Sequence, residues 1–275
     1  MSRKSRKPRT QREQPARASS DQAAHAPSPA AREAPLGARS TAARIDGIDA
    51  LRGFALCLMI VYHFAFDLRF YGVTASDFER DPFWLGFRAI IVSLFMGLVG
   101  VSLVLADRAG TSTAHFWRRV AVIAACALAV SAASWLAFPR SFIYFGILHC
   151  IAVASVLALP VVRWPAISFI IGCAVIAAGV TLSHPAFDTP ALSALGFVTH
   201  KPVTEDYVSL APWAGVVFLG VVLGHVLARD AFRAVAPLGA VPVWFRLLGR
   251  HSLMVYMIHQ PILLGVLWIV LRGGR

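Results

Sequence analysis

The segment IDGIDALRGFALCLMIVYHFAFDLRFYG, residues 45–72, is apolar over a length that crosses a bilayer, yet it carries ionisable side chains within it. At about 100° per residue, Asp49, Arg52, His63 and Asp67 share one stripe of a single helix. An ionisable group at the bilayer centre costs about 2.5–3.5 kcal/mol on insertion scales, so such groups usually face a protein interior or a wet cavity. We predict that this stripe lines the functional site of a membrane protein.

The composition predicts several more spans of this kind. Hydrophobic residues make up 57% of the 275 residues and charged residues only 15%, which is far from the balance of a soluble domain. The apolar residues cluster in runs of about twenty, the length that crosses a hydrocarbon core. We therefore predict an all-α fold, a polytopic membrane helical bundle of about seven transmembrane helices. The predicted spans are 50–70, 84–106, 118–138, 142–160, 165–183, 208–228 and 247–271.

The chain divides into a basic tail, residues 1–44, and a transmembrane domain, residues 45–275. Ten of the 26 Lys and Arg residues precede Ile45, in a stretch rich in Ala, Ser, Pro and Gln. Such a stretch cannot bury enough apolar surface to fold, so we predict a disordered tail. Positive charge beside the first span holds that end in the cytoplasm, which accounts for the basic tail without a nucleic-acid partner.

The charges of the later loops favour the same orientation. Arginines follow the predicted spans two, four and six, whereas the loops between them hold acidic residues. The arginines are Arg108, Arg118, Arg119, Arg163, Arg229, Arg233, Arg246 and Arg250, and the acidic residues are Asp77, Glu79, Asp81, Glu205 and Asp206. This distribution predicts a cytoplasmic amino terminus and an external carboxyl terminus. The longest loop, residues 183–208, is either a lid or acceptor-binding surface or an interfacial tether.

The cysteines give no sign of a disulfide framework or a metal site. All four of them fall inside predicted spans, where cysteine behaves as a small hydrophobic residue. No His-x-x-x-His or Cys-x-x-Cys spacing occurs in the sequence. We therefore predict a protein without a bound metal.

Polar residues also interrupt the second and fourth predicted spans. Arg88 opens the second span, where Gly97 and Gly100 offer small surfaces for close helix approach. His149 lies deep in the fourth span, about a turn and a half after Tyr144. A histidine at this depth is either a satisfied core donor or a functional group.

A second polar stripe runs along the last predicted span, GRHSLMVYMIHQPILLGVLWIV. Ser252, Tyr256 and His259 lie within about 60° of one another on a helix. Gln260 adds an amide, and Pro261 removes a backbone donor and can kink the helix beside His259. We predict that this stripe also faces the interior of the bundle.

Four segments together resemble one known family. They are IDGIDALRGFALCLMIVYHFAFDL (45–68), FIYFGILHCIAVASVLAL (142–159), LGRHSLMVYMIHQPIL (248–263) and, as a weaker match, LAPWAGVVFLG (210–220), which contains Trp213. In this order they are similar to the bacterial branch of the heparan-alpha-glucosaminide N-acetyltransferase catalytic-domain family. The spacing of ten residues between Arg52 and His63 also resembles the first helix of the acyltransferase-3 membrane enzymes.

This resemblance implies a multi-pass acyltransferase of the bacterial inner membrane. The donor is then acetyl-CoA, or another acyl-coenzyme A, on the cytoplasmic side. The acceptor is a hydroxyl or amine of a sugar or glycan across the bilayer. The expected partners are these two substrates and the lipid bilayer, and self-association into a homo-oligomer is left open.

The polar residues suit such a reaction, which needs a base for the acceptor proton and donors for the carbonyl oxyanion. We predict that His63 is that base, or that it carries the acetyl group itself, with Asp67 one turn away to fix its tautomer. Arg52 lies about 16 Å from His63 along the helix, near the cytoplasmic mouth, where its fork suits the phosphates of coenzyme A.

Further residues complete the predicted site. We predict that His149 and His259 converge with His63 on one cavity, as additional catalytic groups. The predicted substrate-binding and cofactor-binding residues are Arg52, Asp49, Arg88, Tyr144, Trp213, Ser252, Tyr256 and Gln260. Some of Arg118, Arg119, Arg163 and Arg250 are expected to share a basic mouth with Arg52.

Two other functional classes fit the same residues. Aspartate and histidine inside spans also mark proton-coupled transporters of small molecules, although the spans show no obvious inverted repeat or matched broken helices. In a structural membrane protein, buried Asp–Arg and Asp–His contacts would only set helix register. A passage from an arginine-lined mouth to His63 would favour the acyltransferase, and a sealed core would favour a scaffold.

Overall fold

The computed structural model describes residues 45–272, and in that range the chain is helical without a β-strand. The α-helices in chain order are α1 (Asp46–Phe70), α2 (Pro82–Arg108), α3 (Thr113–Ala137), α4 (Ile147–Ala158), α5 (Pro165–Thr181), α6 (Pro190–Ser193), α7 (Leu210–Arg229), α8 (Val243–Arg250) and α9 (Ser252–Arg272). Short 3₁₀ helices cover Leu159–Val161, Pro185–Asp188 and Arg233–Ala240. The predicted basic tail, residues 1–44, lies outside the described residues.

Within residues 45–272, five helices are long and apolar enough to cross a membrane, namely α1, α2, α3, α7 and α9. The protein is therefore a multi-pass helical membrane protein. The predicted fourth and fifth spans correspond to shorter apolar helices, Ile147–Val161 and Pro165–Thr181. These two are shorter than the roughly 20 residues of a typical membrane span, and the count of about seven spans stays a prediction.

The loops of the bundle gather at two opposite ends. At one of them, which we call the basic end, Arg163 Nε lies 2.8 Å from Asp107 Oδ1, and Arg250 Nη2 lies 2.8 Å from Asp46 Oδ1. At the other end, Lys201 Nζ lies 3.0 Å from Glu79 Oε1, which is within hydrogen-bond distance.

Small residues bring the central helices into backbone contact. A Cβ atom added at Gly100 on α2 would overlap the carbonyl oxygen of Val217 on α7, and one at Gly220 would overlap the carbonyl of Gly97. Helices in a membrane associate through such close packing because lipid supplies no hydrophobic driving force between them. The close approach predicted for Gly97 and Gly100 is therefore present, and it joins α2 to α7.

The last predicted span is divided in two. Residues 247–250 belong to α8, and the chain turns at His251 before α9 begins at Ser252. Helix α8 packs on α1, because Gly249 lets its backbone meet the carbonyl of Asp49. This contact with α1 explains why the membrane helix starts about five residues later than its hydropathy predicts.

Candidate functional site

The predicted charged residues of α1 form an ionic network at the basic end. Arg52 donates from Nη1 to Asp49 Oδ1 at 2.9 Å and from Nη2 to Ser102 Oγ at 2.6 Å. Arg250 on α8 contacts Asp49 Oδ2 at 3.3 Å, and Arg246 contacts Asp46 Oδ2 at 2.6 Å. These pairs fix α8 against the start of α1.

Two cavities, with volumes of about 370 and 690 Å³, open beside this network. Both are lined by Arg52, Ser102, His115 and Arg119, and we call them the basic cavities. Arg118 lines the first, and Arg163 and Arg250 line the second. The predicted basic mouth therefore exists as a geometric feature, with His115 as a member that the sequence did not indicate.

The arginines of the basic cavities differ in whether a carboxylate of the protein already pairs with them. Arg250 is shared between Asp46 and Asp49. In the described part of the chain, neither Arg118 nor Arg119 has a carboxylate within salt-bridge distance. Their positive charge is available to an anionic ligand, because guanidinium groups bind phosphate through paired hydrogen bonds.

The stripes of α1 and α9 meet at the middle of the bundle. The rings of His63 and His259 lie with their centroids 5.0 Å apart in an edge-to-face arrangement. Gln260 donates from Nε2 to Asp67 Oδ1 at 2.7 Å. The pairing expected between Asp67 and His63 is not among the hydrogen bonds of residues 45–272, in which the Asp67 carboxylate accepts from the Gln260 amide of the facing helix.

The hydrogen bonds fix the tautomer of His259. Its Nδ1 lies 2.6 Å from the backbone carbonyl oxygen of Tyr256, which can only accept a hydrogen bond, so Nδ1 carries the proton. The neutral ring then holds a lone pair on Nε2. That atom is buried and has no hydrogen-bond partner among residues 45–272, and the same is true of Asp67 Oδ2 and Gln260 Oε1. Three buried acceptors are thus left for the donors of a ligand.

Two further cavities, of about 320 and 270 Å³, surround the two histidines. We call them the central cavities, and they share His63, Phe66, Glu205, Asp206 and Tyr256 as lining residues. His259, Asp67 and Gln260 line the smaller one.

The basic and central cavities have a common wall. Tyr256, Phe95 and Ile147 line both the 370 Å³ basic cavity and the 320 Å³ central cavity. The side chains that separate the two are therefore aromatic or aliphatic. Tyr256 therefore lies between a cavity at the basic end and a cavity that holds His63.

The structure does not bring His149 to this site. Its Nδ1 accepts a hydrogen bond from Gly146 N at 3.2 Å, and its Nε2 lies 3.3 Å from Ser131 Oγ. The ring of His149, in the first turn of α4, thus accepts from the backbone N–H of Gly146, the N-cap residue of that helix. His149 is not among the residues that line the four cavities in the described part of the protein. The predicted convergence thus joins His63 and His259 only.

The remaining predicted residues separate into two groups. Arg88 lines the larger central cavity, and Ser252 lines the smaller basic cavity. Tyr144 instead bonds Ser193 Oγ at 2.7 Å in the long loop, and Trp213 packs against the apolar core. Neither of these two aromatic residues lines a basic or central cavity in the described part of the chain.

Asp206 is a member of the site that the sequence did not single out. Its Oδ2 accepts a hydrogen bond from Ile147 N at 3.1 Å, at the start of α4. Burial raises the pKa of the Asp206 carboxyl. The adjacent Glu205 accepts from Ser141 Oγ at 2.5 Å and holds this part of the loop against the bundle. In the sequence, the only indication of this site was that two acidic residues are adjacent in the longest loop.

In the described range, no group of three or more His, Cys, Asp or Glu side chains is arranged to hold a metal ion.

Comparison with known proteins agrees with the resemblance of the four segments. Comparisons with curated proteins and with solved structures returned no match. The family model described as heparan-alpha-glucosaminide N-acetyltransferase, catalytic, matches residues 44–261, which is most of the chain. The chain therefore belongs to the heparan-alpha-glucosaminide N-acetyltransferase catalytic-domain family.

Proposed function

We propose that the protein is a membrane acetyltransferase that moves an acetyl group from acetyl-CoA to a hydroxyl or amine of a sugar or glycan across the bilayer. Its family supports acetyl transfer in a membrane. The observation that carries the proposal is the position of Tyr256, which lines both a basic cavity and the central cavity that holds the two facing histidines.

The basic cavities are the proposed site for the nucleotide and phosphates of coenzyme A. Arg118 and Arg119 supply positive charge there, and Arg52 and His115 line the same cavity. His63 is eleven residues from Arg52 on α1, a distance of about 16 Å along the helix. The extended pantetheine arm can span this distance, so the thioester would reach the wall at Tyr256.

The central cavities are the proposed site of acetyl transfer. The neutral Nε2 of His259 takes the proton of the acceptor as its oxygen or nitrogen attacks the thioester carbonyl. The new C–O or C–N bond forms, the C–S bond breaks, and the proton passes from His259 to the leaving thiolate. The Tyr256 hydroxyl is the proposed donor to the oxyanion, and the charge of Asp67 stabilises the imidazolium.

His63 keeps a role in this proposal beside His259. Its ring shares the cavity and faces His259, so it can hold the acceptor or carry the acetyl group as an intermediate. Acetylated protein that forms before the acceptor is added would distinguish the intermediate from direct transfer.

Sidedness follows from the arginines. We propose that the basic end faces the cytoplasm, because arginine-rich loops are retained there, and that the membrane is the bacterial inner membrane. Acetyl-CoA is then available on the side where the basic cavities open.

The test is acetyl transfer by the purified full-length protein in detergent. Acetyl-CoA labelled in the acetyl group is incubated with glucosamine or glucose, and labelled sugar and labelled protein are both measured. We expect labelled sugar, and its loss in the His259→Asn variant. A folded wild-type protein that labels neither sugar nor itself would contradict the proposal, and movement of sugar without acetylation would favour a transporter.

A further inference from the structure

The smaller central cavity opens on the side of the bundle that faces the bilayer. Ala129, Ala133 and Ala137 of α3 line this cavity and are nevertheless exposed on the surface of the bundle. They lie four residues apart, so they share one face of α3, and their small side chains leave the cavity open there. The neighbouring Leu128 and Leu136 are 66% and 77% exposed, so the surface around the opening is in contact with lipid.

The opening lies between two helices that are not fastened to each other. Helix α3 packs mainly on α4, and the cavity separates it from the middle of α9. Helix α9 is instead bound to α1 and the residue that follows it, because Gln260 donates to Asp67 at 2.7 Å and Tyr71 donates to the carbonyl of Leu264 at 3.2 Å. In the described residues, the side chains of α3 hydrogen-bond within α3, to the α3–α4 connection and to α4.

The inner end of the cavity is polar and lacks hydrogen-bond donors. His259 and Asp67 are only 8% and 1% exposed, and Nε2 of the one and Oδ2 of the other have no partner among residues 45–272. Gln260 Oε1 is in the same state, and all three side chains line this cavity. Buried acceptors of this kind are satisfied by a ligand that donates hydrogen bonds, as the hydroxyl groups of a sugar do.

Volume and charge restrict what can occupy the opening. The cavity holds about 270 Å³, which is below the roughly 300–1,000 Å³ of a site that encloses a whole drug-sized ligand, so only part of a lipid fits inside. Asp67, Glu205 and Asp206 line it, whereas no Lys or Arg of the described residues does. A phosphate headgroup would lose its hydration there without gaining a positive partner. The cavity therefore favours an uncharged headgroup.

Resting on the proposed acetyl transfer, we propose that the acceptor is a neutral glycolipid, which enters the smaller central cavity sideways from the bilayer between α3 and α9. Its sugar binds at His259 and Asp67, and its apolar chain passes the alanine face of α3 and stays in the lipid. A free sugar reaches the same histidines from the long loop, because residues 201–206 line the larger central cavity and Val203 there is 81% exposed. The free sugar is the weaker acceptor, since its binding lacks the contribution of a buried chain.

The test is photo-cross-linking of the full-length protein in phosphatidylcholine nanodiscs. The probe is a dodecyl glucoside with a diazirine on its chain, and labelling that excess dodecyl glucoside removes is counted as specific. Ala133→Phe fills the opening and should lower specific labelling at least about tenfold, since burial of about two methylene groups accounts for that factor. Ala132→Phe is the matched control and should change nothing, because Ala132 is also exposed on α3 but lines none of the four cavities of the described residues.

The labelling experiment has outcomes that overturn the glycolipid. Specific labelling that is absent from wild type, or that Ala133→Phe leaves unchanged, overturns the proposal. Dodecyl phosphate and palmitoyl-CoA should compete with the probe less well than dodecyl glucoside does. Equal or better competition by dodecyl phosphate would assign the opening to a lipid phosphate, and equal or better competition by palmitoyl-CoA would assign it to the chain of the donor. If Ala133→Phe does not fold, Ala129→Phe, one turn earlier on the same face, is judged by the same criteria.

Acetyl transfer measured in the same nanodiscs separates this proposal from the proposed function. Ala133→Phe should lower transfer to dodecyl glucoside more than transfer to glucose, and an equal loss for both acceptors overturns sideways entry. Transfer to glucose by wild type without specific labelling overturns the glycolipid alone. Specific labelling that Ala133→Phe abolishes, without transfer by any variant to either acceptor, overturns the acetyltransferase and supports the lipid site.

Discussion

The substitution His259→Asn separates the proposed base from its structural hydrogen bond. In His259, Nδ1 is bound to the Tyr256 carbonyl at 2.6 Å, whereas Nε2 is buried without a partner among residues 45–272. The side-chain nitrogen of asparagine corresponds in position to Nδ1 and can keep the bond to the carbonyl. Nothing in asparagine corresponds to Nε2, so the variant removes the lone pair that the mechanism needs and keeps the hydrogen bond.

The expected magnitudes differ enough to be distinguished. The variant keeps a hydrogen bond with a net value of about 1 kcal/mol, so its folding cost is confined to the lost ring volume. Loss of a general base lowers the rate about 10²–10⁴-fold. At about 1.36 kcal/mol for each factor of ten, that is about 2.7–5.4 kcal/mol of transition-state stabilisation. A folding defect of about 1 kcal/mol cannot produce such a loss in a protein that remains mostly folded.

The assay measures turnover with labelled acetyl-CoA and thermal stability in the same detergent. His225→Gln is the matched control, because His225 also has a ring nitrogen on a backbone carbonyl, with Nε2 2.8 Å from Val162 O, and lies outside the four cavities that residues 45–272 form. We expect the control to keep its turnover. A stable His259→Asn protein with more than about a tenth of wild-type turnover would refute the assignment of the base.

Three further predictions address the donor site, the common wall and the helix packing. Arg119→Gln should weaken coenzyme A binding about tenfold or more in calorimetry, since one charged hydrogen bond contributes about 1.5–3 kcal/mol; unchanged affinity would exclude Arg119 from the phosphate site. Phe95→Ala should open the wall between the basic and central cavities and raise the rate of transfer from butyryl-CoA relative to acetyl-CoA. An unchanged ratio of the two rates would argue against a passage there. Gly100→Val should lower stability by about 1–3 kcal/mol through overpacking against α7, whereas Gly86→Ala, which meets open space, should not; equal melting temperatures would contradict the packing.

Helix class and site stripes could be predicted from sequence because both depend on local periodicity. The apolar runs are as long as α1, α2, α3, α7 and α9, and the family assignment from four segments is confirmed. The same periodicity indicated that His63 and the polar stripe of α9 face inward. In the structure the rings of His63 and His259 are in contact. Spans four and five were harder, because their helices are shorter than the apolar runs that contain them.

The parts that the sequence did not reveal depend on contacts between distant residues. His149 accepts a hydrogen bond from the backbone of Gly146 and lies within hydrogen-bond distance of Ser131, and hydropathy reports neither contact. Asp67 is bound by Gln260, which is 193 residues away, instead of by the histidine one turn away. Asp206 looks like an ordinary loop carboxylate until the fold places it over the start of α4.

Sided acetyl transfer in reconstituted vesicles tests the central claim most directly. Glucosamine is enclosed in vesicles, and labelled acetyl-CoA is added outside to populations whose basic ends face either outward or inward. We predict that acetylated glucosamine accumulates inside only those vesicles whose basic end faces outward, because the donor enters there and the acceptor enters from the opposite side. Product that forms equally in both populations, or only when donor and acceptor share one compartment, would contradict the account.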